Sequence, residues 1–148
     1  LKNIYAAGDC TESHDIVSDT DRVLALLPCA YMQGHTAGVN MAGGEALYDK
    51  AIAMNAMGMF GYHMITAGCY EGEEIRFSDG ENYKKLFVKN DRLMGYIMIG
   101  DVRRAGIYTK LIREQIPLSS IDFALIQDKP QLMAFAKRER KRQLAARQ

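Results

Sequence analysis

Two segments hold the residue types that could do chemistry. The first is Asn3-Ile4-Tyr5-Ala6-Ala7-Gly8-Asp9-Cys10. The second runs from Leu27-Pro28-Cys29-Ala30 through Gln33-Gly34 to Ala37-Gly38-Val39-Asn40-Met41-Ala42-Gly43. A short apolar run that stops at Gly-Asp reads as a buried strand. It delivers a carboxylate to the C-terminal edge of a sheet, where α/β folds bind ligands. An ionised carboxylate only accepts hydrogen bonds, so Asp9 suits a sugar or ribityl hydroxyl rather than a phosphate. Pro28 suits the first turn of a helix, whose start offers free N–H groups and the positive end of a dipole. Such a terminus stabilises anionic charge on a flat ring system. Ala30, Gly34, Ala37, Gly38 and Met41 share one helix face, mostly of small residues, which admits a close backbone or a flat ligand. A second reading is equally open: Asp9 caps a turn, with Glu12 three residues later in capping-box spacing.

The other reactive residues read as packing groups. Cys10, Cys29 and Cys69 are odd in number and have no close pair, which favours a reducing, cytoplasmic setting over a disulfide framework. A thiol at a helix start, as at Cys29, could ionise more easily, but no adjacent base or resolving thiol is visible. His14, His35 and His63 lack metal-ligand spacing, so no metal is expected. Met54, Met57, Met59 and Met64 form a soft apolar cluster suited to core or interface filling. Arg103-Arg104 after Gly100-Asp101 suits a surface salt bridge at a helix start.

These groups need elements to hold them. The spacing predicts a strand over 3–8, a polar loop from Thr11 to Arg22, and a helix from Pro28 to Ala42 stopped by Gly43-Gly44. Met59–Thr66 and Glu74–Ser78 read as strands, with Asp79-Gly80 as a turn. Tyr83–Lys89 and Leu93–Gly100 flank Asn90-Asp91 as a hairpin. Arg103 to Gln115 has Ile107, Leu111 and Ile112 at helical spacing, closed by Ile116-Pro117. The result is an α+β unit, a three- or four-stranded antiparallel sheet with helices on one face.

The chain has 148 residues, with 48% hydrophobic and 25% charged residues, ordinary globular values that exclude a disordered or coiled-coil chain. The near-neutral total hides an asymmetry: residues 1–128 carry 12 cations and 17 anions, whereas 129–148 carry seven cations and one anion. The tail 131–148 reads as a helix with a solvated basic middle, a charge run too short to imply a nucleic-acid partner. No apolar run approaches the roughly 20 residues of a membrane span.

The paired motifs resemble the second flavin-contact region of the FAD-dependent pyridine nucleotide–disulphide oxidoreductase family. There a strand ending in Ala-Gly-Asp binds FAD, and a following helix aims its N-terminus at the flavin pyrimidine ring. Carried over, Asp9 would hold the ribityl chain, Gly8 would allow close backbone approach, and the N–H groups of Cys29 and Ala30 behind Pro28 would face the flavin N1/O2 edge. Gly100-Asp101-Val102-Arg103-Arg104-Ala105-Gly106 and Tyr108-Thr109-Lys110-Leu111-Ile112 are similar to the C-terminal interface domain of the branch containing nitrite reductase large subunits and NADH–rubredoxin reductases. The family's two Gly-x-Gly-x-x-Gly turns, for the FAD pyrophosphate and for NAD(P)H, do not occur here.

The resemblance therefore implies the C-terminal portion of an FAD-dependent NAD(P)H oxidoreductase. Residues 1–47 would be the end of an FAD-binding α/β domain, 48–128 an α+β interface domain and 129–148 a basic tail. The expected partners are a second copy, forming a dimer, and the missing nucleotide-binding domains; neither nucleic acid nor membrane is expected. By itself the chain would bind no FAD tightly and transfer no hydride. The alternative is a non-catalytic interaction or dimerisation module. Nitrite, rubredoxin, oxygen and a disulfide all stay open as electron acceptors.

Overall fold

A computed structural model describes residues 3–136. A helix, α1, spans Leu27–Met41. Pro28 sits in its first turn, and the helix stops where predicted. Gly43 adopts φ +87°, which an L side chain resists, and donates its N–H to the Asn40 carbonyl. Gly44 donates to the Val39 carbonyl, closing a Schellman motif. The Asn40 side-chain amide then pairs with both backbone groups of Ala46, which directs the chain onward.

The polar stretch expected to be a loop is a hairpin instead, with β1 (Glu12–Asp15) antiparallel to β2 (Thr20–Val23). Its inward positions are Ser13 and Asp15, buried polar residues rather than apolar ones. Each is satisfied by a side chain elsewhere, so the usual alternation is absent from the sequence. Val17 at the hairpin tip enters the main core, and Ile16 donates its N–H to the Ala51 carbonyl.

The main sheet has five strands in the order β3-β4-β7-β6-β5, all antiparallel neighbours. They are β3 (Met54–Met59), β4 (Tyr62–Gly68), β5 (Glu73–Asp79), β6 (Asn82–Lys89) and β7 (Arg92–Ile99). The single strand expected over 59–66 is corrected: the chain reverses at Phe60-Gly61, both at positive φ, and adds one strand to the sheet. A phenylalanine rarely takes that conformation, so residues 60–61 carry no turn signal. The Asn90-Asp91 hairpin forms as predicted, with both residues at positive φ as a type I′ turn requires.

One sheet face carries the core. The second helix, α2 (Gly106–Arg113), lays Ile107, Tyr108, Leu111 and Ile112 against Leu86, Leu93, Tyr96 and Met98. It is shorter than the expected 103–115, because Asp101 engages Arg103 in a turn before the helix begins. A third helix, α3 (Phe123–Asp128), was not expected. Asp122 caps its start and the Tyr108 hydroxyl donates to the Ile126 carbonyl near its end. The tail helix expected over 131–148 is represented by one 3-10 turn, Leu132–Ala134, and residues 137–148 lie outside the described part. The architecture is thus α+β, a small antiparallel sheet with helices packed on one face.

The expected strand over 3–8 does not form. Residues 4–7 are irregular, and Ile4 and Tyr5 are 65% and 44% exposed. No strand among the described residues pairs with this segment, and a parallel strand exists only through its neighbours' hydrogen bonds.

Candidate functional site

The Gly8-Asp9 turn lies against the first two turns of α1. A Cβ on Gly8 would stand an ordinary 4.0 Å from the Ala30 Cβ, and it is the φ of +94° at Gly8 that favours glycine there. The Gly8 N–H donates to Gln33 Oε1 at 2.6 Å, and Gln33 Nε2 donates to Ser13 Oγ at 2.7 Å. Thr11 closes the turn by donating both its N–H and its hydroxyl to the Gly8 carbonyl. One buried amide therefore ties the Gly-Asp turn, β1 and α1 together. Gln33 is quoted in the sequence motif, but its part in the site is not readable there, because both partners are distant along the chain.

Asp9 is exposed and forms no ion pair among the described residues. Its expected alternative, a capping box with Glu12, is not what forms, since Glu12 begins β1. At the helix start, the expectation about N–H groups is corrected in part. The Ala30 N–H donates to the Leu26 carbonyl at 3.0 Å and is occupied by the helix itself. The Cys29 N–H falls at a position with no intrahelical acceptor, beside the dipole's positive end. Gly34 and Gly38 present open space: a Cβ on either would meet nothing within 4 Å. Their face of α1 is flat and uncovered.

Two cavities flank this region. One of about 280 Å³ lies between Tyr5, Thr11, His14, Gln33, Asn40 and Tyr48. Another of about 760 Å³, mainly apolar, runs along the outer side of α1 past Leu27, Pro28, Tyr31, Leu47, Ile52 and Arg113. Behind it the Cys29 thiol is buried and donates to the Ile52 carbonyl at 3.4 Å. Burial pushes the Tyr48 phenol upward, with its hydrogen bond to Cys29 acting in the same direction. Burial also raises the Cys69 thiol. The three cysteines are free, and among the described residues no three His, Cys, Asp or Glu side chains gather to hold a metal ion. Arg103 grips Asp101 through two nitrogens at 2.8 and 2.6 Å, the surface salt bridge expected there, and the guanidinium holds the Asp101 carboxyl down at about 2. Of the methionines, Met54 packs on the core while Met57 and Met59 face solvent.

The small antiparallel sheet with its few helices matches the fold of the C-terminal domain of FAD-dependent reductases. Residues 54–116 match the family described as Rubredoxin NAD+ reductase C-terminal domain. The chain's resemblance is to the pyridine nucleotide–disulfide oxidoreductases. It is 29% identical over 129 residues to the NADH-dependent phenylglyoxylate dehydrogenase subunit epsilon of Aromatoleum evansii, covering 81% of this chain and 30% of that protein. It is 26% identical to the NADH:rubredoxin oxidoreductase of Clostridium acetobutylicum, with a TM-score of 0.59, covering 84% of this chain and 33% of that one. The NAD-dependent persulfide reductase of A. fulgidus shares its fold at a TM-score of 0.73 and 19% identity, covering 99% of this chain and 32% of that one. The chain thus spans about a third of the length of these relatives.

Proposed function

We propose that this chain is the C-terminal portion of an FAD-dependent NAD(P)H oxidoreductase, and that it contributes the second FAD contact and the subunit-interface domain. The observation that carries the reading is the placement of Gly8-Asp9 against α1 by the Gly8–Gln33 hydrogen bond. The residues present fit the cofactor's chemistry: an exposed carboxylate with no ion pair among the described residues, a helix start where the Cys29 N–H has no intrahelical acceptor, and a glycine-bearing face behind it. Asp9 would accept from a ribityl hydroxyl. Gly8 keeps side-chain bulk away from that contact. Pro28 sets the first turn without adding a donor, and Cys29 presents its N–H and the helix dipole to anionic charge at the pyrimidine edge. Ala30 buttresses Gly8. FAD, when bound, would supply the redox chemistry, and these residues would hold it in place and polarise its pyrimidine edge.

In this reading the glycine-rich turns for pyrophosphate and nicotinamide nucleotide belong to residues upstream of Leu1, and the 148-residue chain alone is inactive. The holoprotein is cytoplasmic and dimeric. Exposed apolar groups on the sheet domain, Met57, Met59 and Phe60, support an interface there. Sequencing the gene upstream of Leu1 tests the assignment. Two Gly-x-Gly-x-x-Gly turns are expected, and their absence would leave a non-catalytic interaction module. In the longer protein, Asp9→Ala should lose stoichiometric FAD. Retention of full flavin content by that variant would sink the role given to Asp9.

A further inference from the structure

A cleft of about 810 Å³ opens where the β5–β6 hairpin meets the loop after β7 and the end of α3. Five cations line it, Arg76, Lys84, Arg103, Arg104 and Lys129, against three carboxylates, Asp79, Asp101 and Asp128. This excess stands on an acidic body, since residues 1–128 carry 12 cations and 17 anions. Arg103 is neutralised by Asp101, and Arg76 by Glu74. Lys84, Arg104 and Lys129 form no ion pair among the described residues.

Lys84 is the unusual member. It is only 7% exposed, on the core-facing side of β6, where lysine is rare unless paired. Its ammonium has three donors. One meets the Asp128 carbonyl, and the Phe77 ring lies 4.5 Å away on another side. Burial lowers its pKa, while the Asp128 and Asp101 carboxylates counter from a distance without contact. A desolvated cation without a paired counter-ion gains most from an anion brought to it.

We propose that this cleft binds the phosphate group of a small phosphate-bearing molecule, with Lys84 at its floor and Arg104 and Lys129 at its rim. With Arg76 and Arg103 each held by a carboxylate, the lining leaves Lys84, Arg104 and Lys129 against Asp79 and Asp128, and the three cations without ion pairs among the described residues are the donors a phosphate would meet. The space exceeds that of phosphate alone, and Phe77 and Tyr83 offer apolar surface to an attached organic group.

The test titrates inorganic phosphate and AMP separately into the 148-residue chain at ionic strength fixed with sodium chloride, read by amide NMR. Saturable shifts at Asn82, Lys84, Gly100 to Arg104 and Lys129 are expected, with a rise in the Lys84 pKa at saturation. Tighter binding of AMP would support a nucleotide-like ligand, and equal affinity would support free phosphate. The double variant Arg104→Asn, Lys129→Gln removes the rim charges without touching the core, and asparagine tolerates the positive φ at position 104. It should weaken phosphate binding at least about tenfold with unchanged melting. Lys84→Met should abolish binding; if that variant does not fold, the double variant decides. Absence of saturable binding, or wild-type affinity in the double variant, overturns the proposal.

Discussion

The side-chain oxygen of Gln33 accepts the backbone N–H of Gly8 at 2.6 Å, across 25 residues of sequence. The other end of the same amide donates to Ser13, so one buried group orients the Gly-Asp turn and the following strand together. Gln33→Ala leaves the Gly8 N–H and the Ser13 hydroxyl without their partner. It should cost about 1–3 kcal/mol in chemical denaturation and accelerate hydrogen exchange at Gly8. Gln33→Glu keeps two acceptor oxygens. Gly8 retains its bond and the Ser13 hydroxyl can donate instead, so exchange at Gly8 should stay slow. Equal exchange rates in both variants would show that the amide does not hold the turn.

The β1–β2 hairpin depends on a buried carboxylate. Asp15 is 1% exposed, accepts from the Val17 N–H at 3.0 Å and from Arg22 Nε at 3.0 Å, and is bound by a second Arg22 nitrogen. Arg22→Gln removes the counter-ion and leaves the acid desolvated. The Arg22 side chain is 45% exposed, so water offsets part of the loss, and about 1–3 kcal/mol of destabilisation is expected. The double variant Arg22→Met, Asp15→Asn should recover part of it, because no buried charge remains. An unchanged unfolding midpoint in Arg22→Gln would contradict this.

How far the sequence reached follows from where its signals are local. The helix from Pro28 to Ala42 was readable because proline at one end and Gly43-Gly44 at the other act on their own residues. The Asn90-Asp91 hairpin was readable for the same reason. The 12–23 hairpin was not, because its inward residues Ser13 and Asp15 are polar and are satisfied by Gln33 and Arg22. The strand expected over 3–8 does not form because an apolar run is strand-like only where a neighbour receives its backbone, and none among the described residues does. The turn at Phe60-Gly61 was hidden by a phenylalanine at positive φ. At the candidate site, Gly8, Asp9, Pro28, Cys29 and Ala30 are named as FAD contacts only through the family resemblance. That the helix itself occupies the Ala30 N–H follows from the register of its first turn, which no spacing specifies within one residue.

The crossing of β4 and β7 has no room for a side chain. Gly95 stands opposite Gly68, and a Cβ on Gly95 would come within 2.1 Å of the Cys69 carbonyl oxygen. That obstacle is backbone and cannot rotate away. Gly95→Ala must separate the strands where Tyr96 and Leu93 are wholly buried, so a loss of about 1–3 kcal/mol or more is expected. Gly106→Ala, at a position with nothing within 4 Å and ordinary helical geometry, should be neutral or slightly stabilising. Thermal melts of the two variants side by side check the contrast.

Acid and base act on this fold through two exposed ion pairs of opposite sign. His14 lies across the hairpin from Asp21, bonded at 2.9 Å, with Asp19 at 3.2 Å on the other ring nitrogen. The hydrogen bond to Asp21 raises its pKa above 6.5, and the charges of both carboxylates add to that. A group whose pKa is higher folded than unfolded binds protons more tightly in the folded state. Its stabilisation is therefore fully present below about pH 6.5 and is lost as pH rises through the raised value. Asp101 behaves in reverse. Arg103 holds its carboxyl at about 2 against an ordinary 3.8, so that contribution is present above the ordinary value and is lost as pH falls through about 2. The melting temperature of wild type minus that of His14→Gln should therefore grow as pH is lowered from about 8 to about 6. The same difference for Arg103→Gln should be flat over that range and shrink only in strong acid. A His14 difference that shrinks toward acid would mean the imidazole is bound in its neutral form, and the pairing with Asp21 would have to be redrawn.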